Sequence, residues 1–570
     1  MCTKFAVLLY YVIVGLVRAY SSPAASPPSS CNVVAQTESG WVCGRSRRAE
    51  ASTLYASFRG VPYAKQPVGE LRFKELQPAE PWTGYLDATE EGPVCYQTDV
   101  LYGSLMKPHG MNEACIYANI HVPLYALPAA GETPTKPGLP ILVFIHGGGF
   151  AFGSGDADLY GPEYLVTRNV VVITFNYRLN FFGFFSLDTP KVPGNNGLRD
   201  MVTLLRWVKR NARAFGGNPD NVTLAGQSAG AAAAHLLTLS KATEGLVSRA
   251  ILMSGAGTST FSTTSPIFSQ SINKLLFSIL GVNSTNPDEI HEKLVAMPVE
   301  KLNEANRILI DQIGLTTFFP VVETPHPGIT TILDEDPNIL VQQGRGKDIP
   351  LIIGFTNSEC HMFQRRFEQI DIVSKINENP AILVPSNLLY SSTLETIALV
   401  SNQISQRYSN GSVDLEGFIN MCTDSYYKYP AMKLAEKRSA AGDAPVFLYQ
   451  FSYDGYSVFK QAFHLHFNGA GHADDLTYVL KVNSASGTSS SQKADDEMKY
   501  WMTTFVTNFM RCSAPMCDET TAWPPVTPRE LQYQDIITPN LCHQTSLTKE
   551  QLEMKNFFDK IHNGGESRLK

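Results

Sequence analysis

The chain has 570 residues, 44% hydrophobic and 17% charged, which is ordinary globular composition with ample material for a large core. Its 46 Lys and Arg against 53 Asp and Glu give a net charge of −7 with no basic tract, so no nucleic-acid partner is expected. By length alone roughly three or four domains would be anticipated.

In chain order, Lys4 precedes an apolar run over 5–17 that ends in Val17-Arg18-Ala19, the pattern of a secretory signal peptide over 1–19. A buried helix or a membrane anchor is the alternative, but an anchor needs about 20 apolar residues and this run is shorter. Cleavage near Ala19 would remove Cys2 from the ten cysteines and leave nine, so at least one thiol would stay free or pair between chains. Residues 20–32, rich in Pro and Ser, read as a flexible mature N-terminus. No later segment is long and apolar enough to span a bilayer, and the end at 564–570 is polar, so no stable membrane or lipid anchor is expected.

Residues 41–63 look like a strand pair. Cys95 and Cys115 bracket a loop and are a candidate disulfide in an oxidising compartment, with two separate buried thiols as the alternative. Continuous apolar runs at 140–145, 170–175, 222–225, 250–253, 349–354 and 446–451 read as strands buried on both faces. Helical stretches lie between them, for example 198–215 with Leu204, Leu205, Val208 and Ala212 on one side. This alternation predicts the α/β class, with a large, mostly parallel central sheet flanked by helices. The chemical motifs run from His146 to His472, so one site draws on most of the chain. That predicts a single domain over 33–570.

Gly226-Gln227-Ser228-Ala229-Gly230 fits a nucleophile elbow, a serine on a strained strand-to-helix turn whose glycines let two backbones approach closely. The Ala-rich run after it predicts a helix over 229–237. Three glycines at 147–149 end the strand at 140–145, where an oxyanion loop would present several N–H donors to one point. A flexible turn is the plainer reading, but a bare turn has no use for three glycines before Phe150. Glu359 follows the strand at 349–354 and is the candidate acid. The candidate base is His472, in Gly469-Ala470-Gly471-His472-Ala473-Asp474-Asp475, a loop that precedes a helix expected from Leu476. His464 and His466 are nearby rivals, but they alternate with Phe463, Leu465 and Phe467 as two solvent-facing rings would.

With His146-Gly147-Gly148-Gly149-Phe150, the elbow, Glu359 and Gly469-x-x-His472-x-x-Asp475, the chain resembles the carboxylesterase/cholinesterase family of α/β-hydrolases from about Val33 onward. Asn176-Tyr177-Arg178-Leu179, Phe215-Gly216-Gly217-Asn218-Pro219 and the Cys95–Cys115 pair belong to the same likeness. Within the family Arg72-Phe73, the elbow Gln, and the stretches 314–320 and 471–478 resemble the insect juvenile hormone esterases, the moth forms above all. The likeness implies an α/β-hydrolase fold and a Ser228–Glu359–His472 triad. It also implies oxyanion donors at Gly148, Gly149 and Ala229, with Gly147 shaping the loop, and an Arg72–Glu113 ion pair. Asp200-Met201 departs from the Asp-Gln usual in the hormone esterases, and Asn112-Glu113-Ala114-Cys115 from the family's Ser-Glu-Asp-Cys.

The implied reaction is ester hydrolysis through a serine acyl-enzyme, with no cofactor and no metal; His291-Glu292 lacks the second histidine of a zincin pattern. Segment 101–113 holds no Trp to bind a quaternary ammonium. Gly314 and Thr316 stand where cholinesterases carry acyl-pocket phenylalanines, and neutral Gln227 where they carry Glu. A bulky, uncharged, apolar ester such as juvenile hormone suits all three, with Gln227, Thr316 and Phe319 as candidate pocket residues and a haemolymph-like extracellular fluid as the location. A general or odorant-degrading carboxylesterase is the competing expectation, and a non-catalytic binding protein on the same fold the remote one. Asn283 and Asn410 head glycosylation sequons; Asn221 heads a third but starts the elbow strand.

Overall fold

The computed structural model describes residues 27–132, 137–314, 316–442, 444–485, 492–516, 523–539 and 541–566. The signal peptide expected over 1–19 lies outside the described residues, as does most of the stretch 20–32; within the latter, Cys31 is disulfide-bonded to Cys43.

The six apolar runs become neighbours in one sheet, 13-stranded among the described residues. Its centre is parallel, in the spatial order Val171–Phe175, Leu139–Ile145, Gly217–Gln227, Arg249–Met253, Leu351–Thr356, Val446–Phe451 and Gln532–Thr538. The flanks continue antiparallel, with Tyr117–Pro123, Leu54–Pro62, Gly40–Arg48 and Val33–Thr37 on one side and Leu541–Ser546 on the other; the thirteenth strand, Tyr85–Asp87, pairs parallel with Gly40–Arg48. The strand pair expected over 41–63 is the Gly40–Arg48 and Leu54–Pro62 hairpin, with Arg45 opposite Ser57.

Both faces of the centre are buried, which is why its strands read as unbroken apolar runs. Ile141, Val143 and Ile145 pack into one core and Leu142 and Phe144 into the other. Val446 and Leu448 join the first, Phe447, Tyr449 and Phe451 the second. Helix Asn196–Asn211 buries Leu204, Leu205 and Val208 and continues as a 3-10 turn, Ala212–Phe215, which Gly216 ends at φ 73°. The helix expected from Leu476 is only a 3-10 turn, Leu476–Tyr478. A competing backbone bridge draws the chain away: Lys481 and Gly161 exchange two N–H···O bonds of 2.8 and 3.0 Å.

Long helical insertions follow two of the central strands. Pro266–Leu280, Pro287–Ala296 and Val299–Ile313 come after Arg249–Met253, and Leu394–Ser409, Leu415–Cys422 and Tyr429–Ala441 after Leu351–Thr356. Disulfides join Cys95 to Cys115 and Cys360 to Cys422. Among the described residues no helix is long and apolar enough to cross a membrane.

Candidate active site

Every candidate catalytic group leaves the carboxyl end of a parallel strand, the edge where open α/β sheets bind their ligands. Ser228 ends the strand Gly217–Gln227 and caps helix Ala229–Leu239, at φ 60° and ψ −127°. A serine at positive φ is strained, and the glycines two residues to either side explain how the turn holds. A Cβ on Gly226 would lie 2.2 Å from the Gly230 carbonyl oxygen, and one on Gly230 would lie 2.1 Å from that of Ile145. The Ser228 N–H donates to Met253 O at 2.8 Å, fixing the turn to the next strand.

Glu359 opens a 3-10 turn after Leu351–Thr356 and is fully buried. Its Oε1 accepts from the Thr356 N–H at 2.7 Å, and its Oε2 lies 2.5 Å from His472 Nδ1. The two loops are laced together: Ala470 N–H donates to Asn357 Oδ1 at 2.8 Å, and Ser358 N–H to Ala470 O at 3.0 Å. His472 is held between the rings of Phe363 and Tyr427, at centroid distances of 5.1 and 4.9 Å. Both rivals are out of reach, since His464 and His466 are exposed. Asp475 sits fully buried near His472, where the Tyr449 hydroxyl donates to it at 2.6 Å; burial pushes its carboxyl up to about 7.

The glycine loop lies opposite Ser228, with Gly148 and Gly149 at φ 105° and 62°. Among the described residues neither of their N–H groups donates within the protein, and Ala229, first in its helix, has no intrahelical acceptor for its own. The loop's carbonyls are tied down: Gly148 O accepts from Ala151 and Phe152, and Gly149 O from the Thr316 hydroxyl at 2.8 Å. His146 anchors the loop's start, its ring stacked on Tyr177 at 4.4 Å and its Nδ1 2.8 Å from Gly147 O. Burial pulls its pKa down to about 4, so it is neutral and structural.

Ser228, His472, Gly148 and Gly149 face a cavity of about 320 Å³. Gln227, Thr316 and Phe319, the three pocket residues named from the sequence, line it too. The remaining wall is largely aromatic and aliphatic, including Phe268, Phe363, Ile382 and Leu389 from the insertions. Sequence reasoning did not reach these wall residues, nor Tyr427, because their approach depends on how distant helices pack. Cys360 and Cys422 were visible as cysteines, but their pairing beside Glu359 was not. Met201, the departure from the hormone-esterase pattern, is buried in the core and does not line the cavity. Arg72 pairs with Glu113, and Asp200 with Arg178.

A model of the "Carboxylesterase family" matches residues 31–555. The chain is 55% identical to the juvenile hormone esterase of Heliothis virescens, over 95% of this chain and 97% of that protein. It is 29% identical to the juvenile hormone esterase of Tribolium castaneum, over 98% and 97% of the two. Among solved structures it is similar to the juvenile hormone esterase of Manduca sexta with OTFP covalently attached. That match has a TM-score of 0.90 and 62% identity, and covers 93% of this chain and 99% of the other. With this likeness the parallel sheet is that of an α/β-hydrolase, as expected.

Proposed function

The chain belongs to the carboxylesterase family, and from that premise we propose that it hydrolyses the methyl ester of juvenile hormone. The observation that carries this reading is the largely apolar cavity that Ser228 and His472 help to line. At about 0.8 kcal/mol per buried CH₂, such a wall holds a long apolar ester tightly without any charged contact. Its volume of about 320 Å³ suits one small ligand.

In the proposed reaction Ser228 Oγ attacks the ester carbonyl while His472 Nε2 takes its proton. Glu359, 2.5 Å from Nδ1, keeps the imidazole in the productive tautomer and stabilises its cation. The N–H groups of Gly148, Gly149 and Ala229 receive the oxyanion. His472 returns the proton to departing methanol, and water then cleaves the acyl-enzyme by the same route. Residues 33–570 act as one catalytic domain in this reading, since all three triad members leave one sheet.

Secretion is part of the proposal, supported by three disulfides among the described residues, which fit an oxidising compartment. Asn283 and Asn410 are exposed and open to glycosylation, whereas Asn221 is held in its strand by Arg249 Nη1 at 2.6 Å. Peptide mass mapping of protein from an insect cell line checks this: glycan is expected at 283 and 410 and not at 221.

The deciding experiment compares kcat/KM for juvenile hormone with that for a short-chain aryl ester, with Ser228→Ala as the blank. A strong hormone preference at low KM, abolished in the variant, is the expected outcome. Better turnover of the short ester with weak hormone binding makes the protein a general or odorant-degrading carboxylesterase.

A further inference from the structure

Gln227 precedes the nucleophile, and its amide, rather than the Ser228 hydroxyl, faces the base. Gln227 Nε2 lies 3.0 Å from His472 Nε2. Among the described residues no hydrogen bond joins Ser228 Oγ to that nitrogen. With His472 Nδ1 at 2.5 Å from the Glu359 carboxylate, Nδ1 carries the ring proton and Nε2 offers its lone pair. The partner that can use that lone pair is the Gln227 NH₂ group. The side chain is only 2% exposed, and Gly147 is what leaves room for it. A Cβ on Gly147 would lie 2.9 Å from Gln227 Oε1.

The other groups around the imidazole act elsewhere on it. Glu359 holds Nδ1, Phe363 and Tyr427 cover the ring, and buried Asp475, bonded to the Tyr449 hydroxyl, stands within electrostatic reach. Among the described residues Gln227 is therefore the one hydrogen-bonding neighbour of the atom that has to accept the serine proton.

We propose that Gln227 is a positioning residue whose amide donates to Nε2 of His472 in the free enzyme, holding the ring in place until a bound ester brings the Ser228 hydroxyl onto the same nitrogen. The inference rests on the reading of Ser228 as nucleophile and His472 as base, and is independent of which ester is the substrate. A donor on the lone pair stabilises the neutral ring against its cation. A single neutral hydrogen bond is also readily exchanged for another, so the amide can yield to the serine. A carboxylate in its place could only accept, and would favour the protonated ring instead.

The test is the pH profile of kcat/KM between pH 5 and 9 for p-nitrophenyl butyrate, in the parent protein, Gln227→Met and Gln227→Glu. The acid limb is expected to move up by about one to two pH units in Gln227→Glu, the size expected of an adjacent opposite charge. In Gln227→Met it moves the same way by less, and the plateau falls less than tenfold. Inactivation by diisopropyl fluorophosphate should show the same displaced limb, because it reads the serine and its base without depending on acyl fit. Limbs that stay in place in both variants, with only KM altered, would reduce Gln227 to a piece of cavity wall and overturn the proposal. Should Gln227→Glu fail to fold, the nearly isosteric Gln227→Met decides alone. Failure of the underlying reading would look different: Ser228→Ala would retain activity.

Discussion

At the residue scale the site is held by a few backbone positions that tolerate no substitution and a few buried charges. Gly148 has φ 105°, and a Cβ there would lie 2.0 Å from Phe152 O, so Gly148→Ala must move the oxyanion loop. The expected loss in kcat is about 10²- to 10³-fold, the effect of losing one oxyanion donor, with little change in far-ultraviolet circular dichroism. Glu359→Gln leaves the shape but not the charge, and should cost about 10⁴-fold in kcat. Asp475 makes a prediction of opposite character, about stability. Its folded pKa of about 7 stands above the usual 3.8, so the folded state binds its proton more tightly. That stabilisation is complete below pH 4 and disappears as pH rises toward and through 7. Asp475→Asn cannot ionise, so its Tm relative to the parent should rise between pH 5 and pH 8 in scanning calorimetry. A constant difference across that range would mean the carboxyl is not the titrating group.

At the element scale the placement of Glu359 and His472 depends on the helical insertion that follows Leu351–Thr356. The Cys360–Cys422 disulfide ties the residue after Glu359 to the end of helix Leu415–Cys422. A π-helical turn, Thr423–Lys428, follows at once and carries Tyr427 to the His472 ring. Such turns break helical register and recur at functional sites. The Thr423 hydroxyl oxygen also accepts from the Cys360 N–H at 3.1 Å, so the covalent and hydrogen-bonded ties coincide. The disulfide closes a sequence separation of 62 residues, worth about 4 kcal/mol in the chain-entropy model. Replacing both cysteines by serine should lower Tm and also kcat, because Glu359 loses its neighbour's anchor. A lowered Tm with kcat unchanged would show that Thr356 and the 469–472 loop suffice to place the acid.

At the scale of the whole molecule, buried arginines connect segments that are far apart in sequence. Arg72 pairs with Glu113 and donates to the carbonyls of Leu294, Val295 and Met297 at 2.9, 3.1 and 2.8 Å. It thereby joins the loop before Cys115 to the end of helix Pro287–Ala296. Arg72→Met would leave Glu113 and three carbonyls without their donor, at about 3–5 kcal/mol by analogy with other broken buried pairs. Urea unfolding should show that loss, while kcat per folded molecule stays near the parent's because Arg72 does not line the cavity. Arg199–Glu323 and Arg178–Asp200 are buried pairs of the same kind. Met201, beside Asp200, shows that a departure from a subfamily pattern can fall in the core rather than among the residues that line the cavity.

What the sequence determined by itself was local in origin. A strand buried on both faces is largely apolar, so the runs at 140–145, 250–253 and 446–451 were legible as the strands Leu139–Ile145, Arg249–Met253 and Val446–Phe451. A turn that brings two backbones together must use glycine, so Gly226, Gly230 and the 147–149 loop marked the candidate elbow and the loop that faces it. Chain order then suggested Glu359 and His472. Tertiary structure alone decided what depends on contact between distant segments. Gln227 and His472 stand 245 residues apart, yet an amide of one meets a ring nitrogen of the other. The apolar wall was likewise invisible, because Phe268, Ile382 and Leu389 are ordinary residues of amphipathic segments until the packed insertions bring them onto one cavity. Even the helix expected after Asp475 gave way to a bridge with Gly161, a partner more than 300 residues earlier. Local backbone geometry is written in adjacent residues; which side chains face one another is settled only when the whole sheet has closed its two cores.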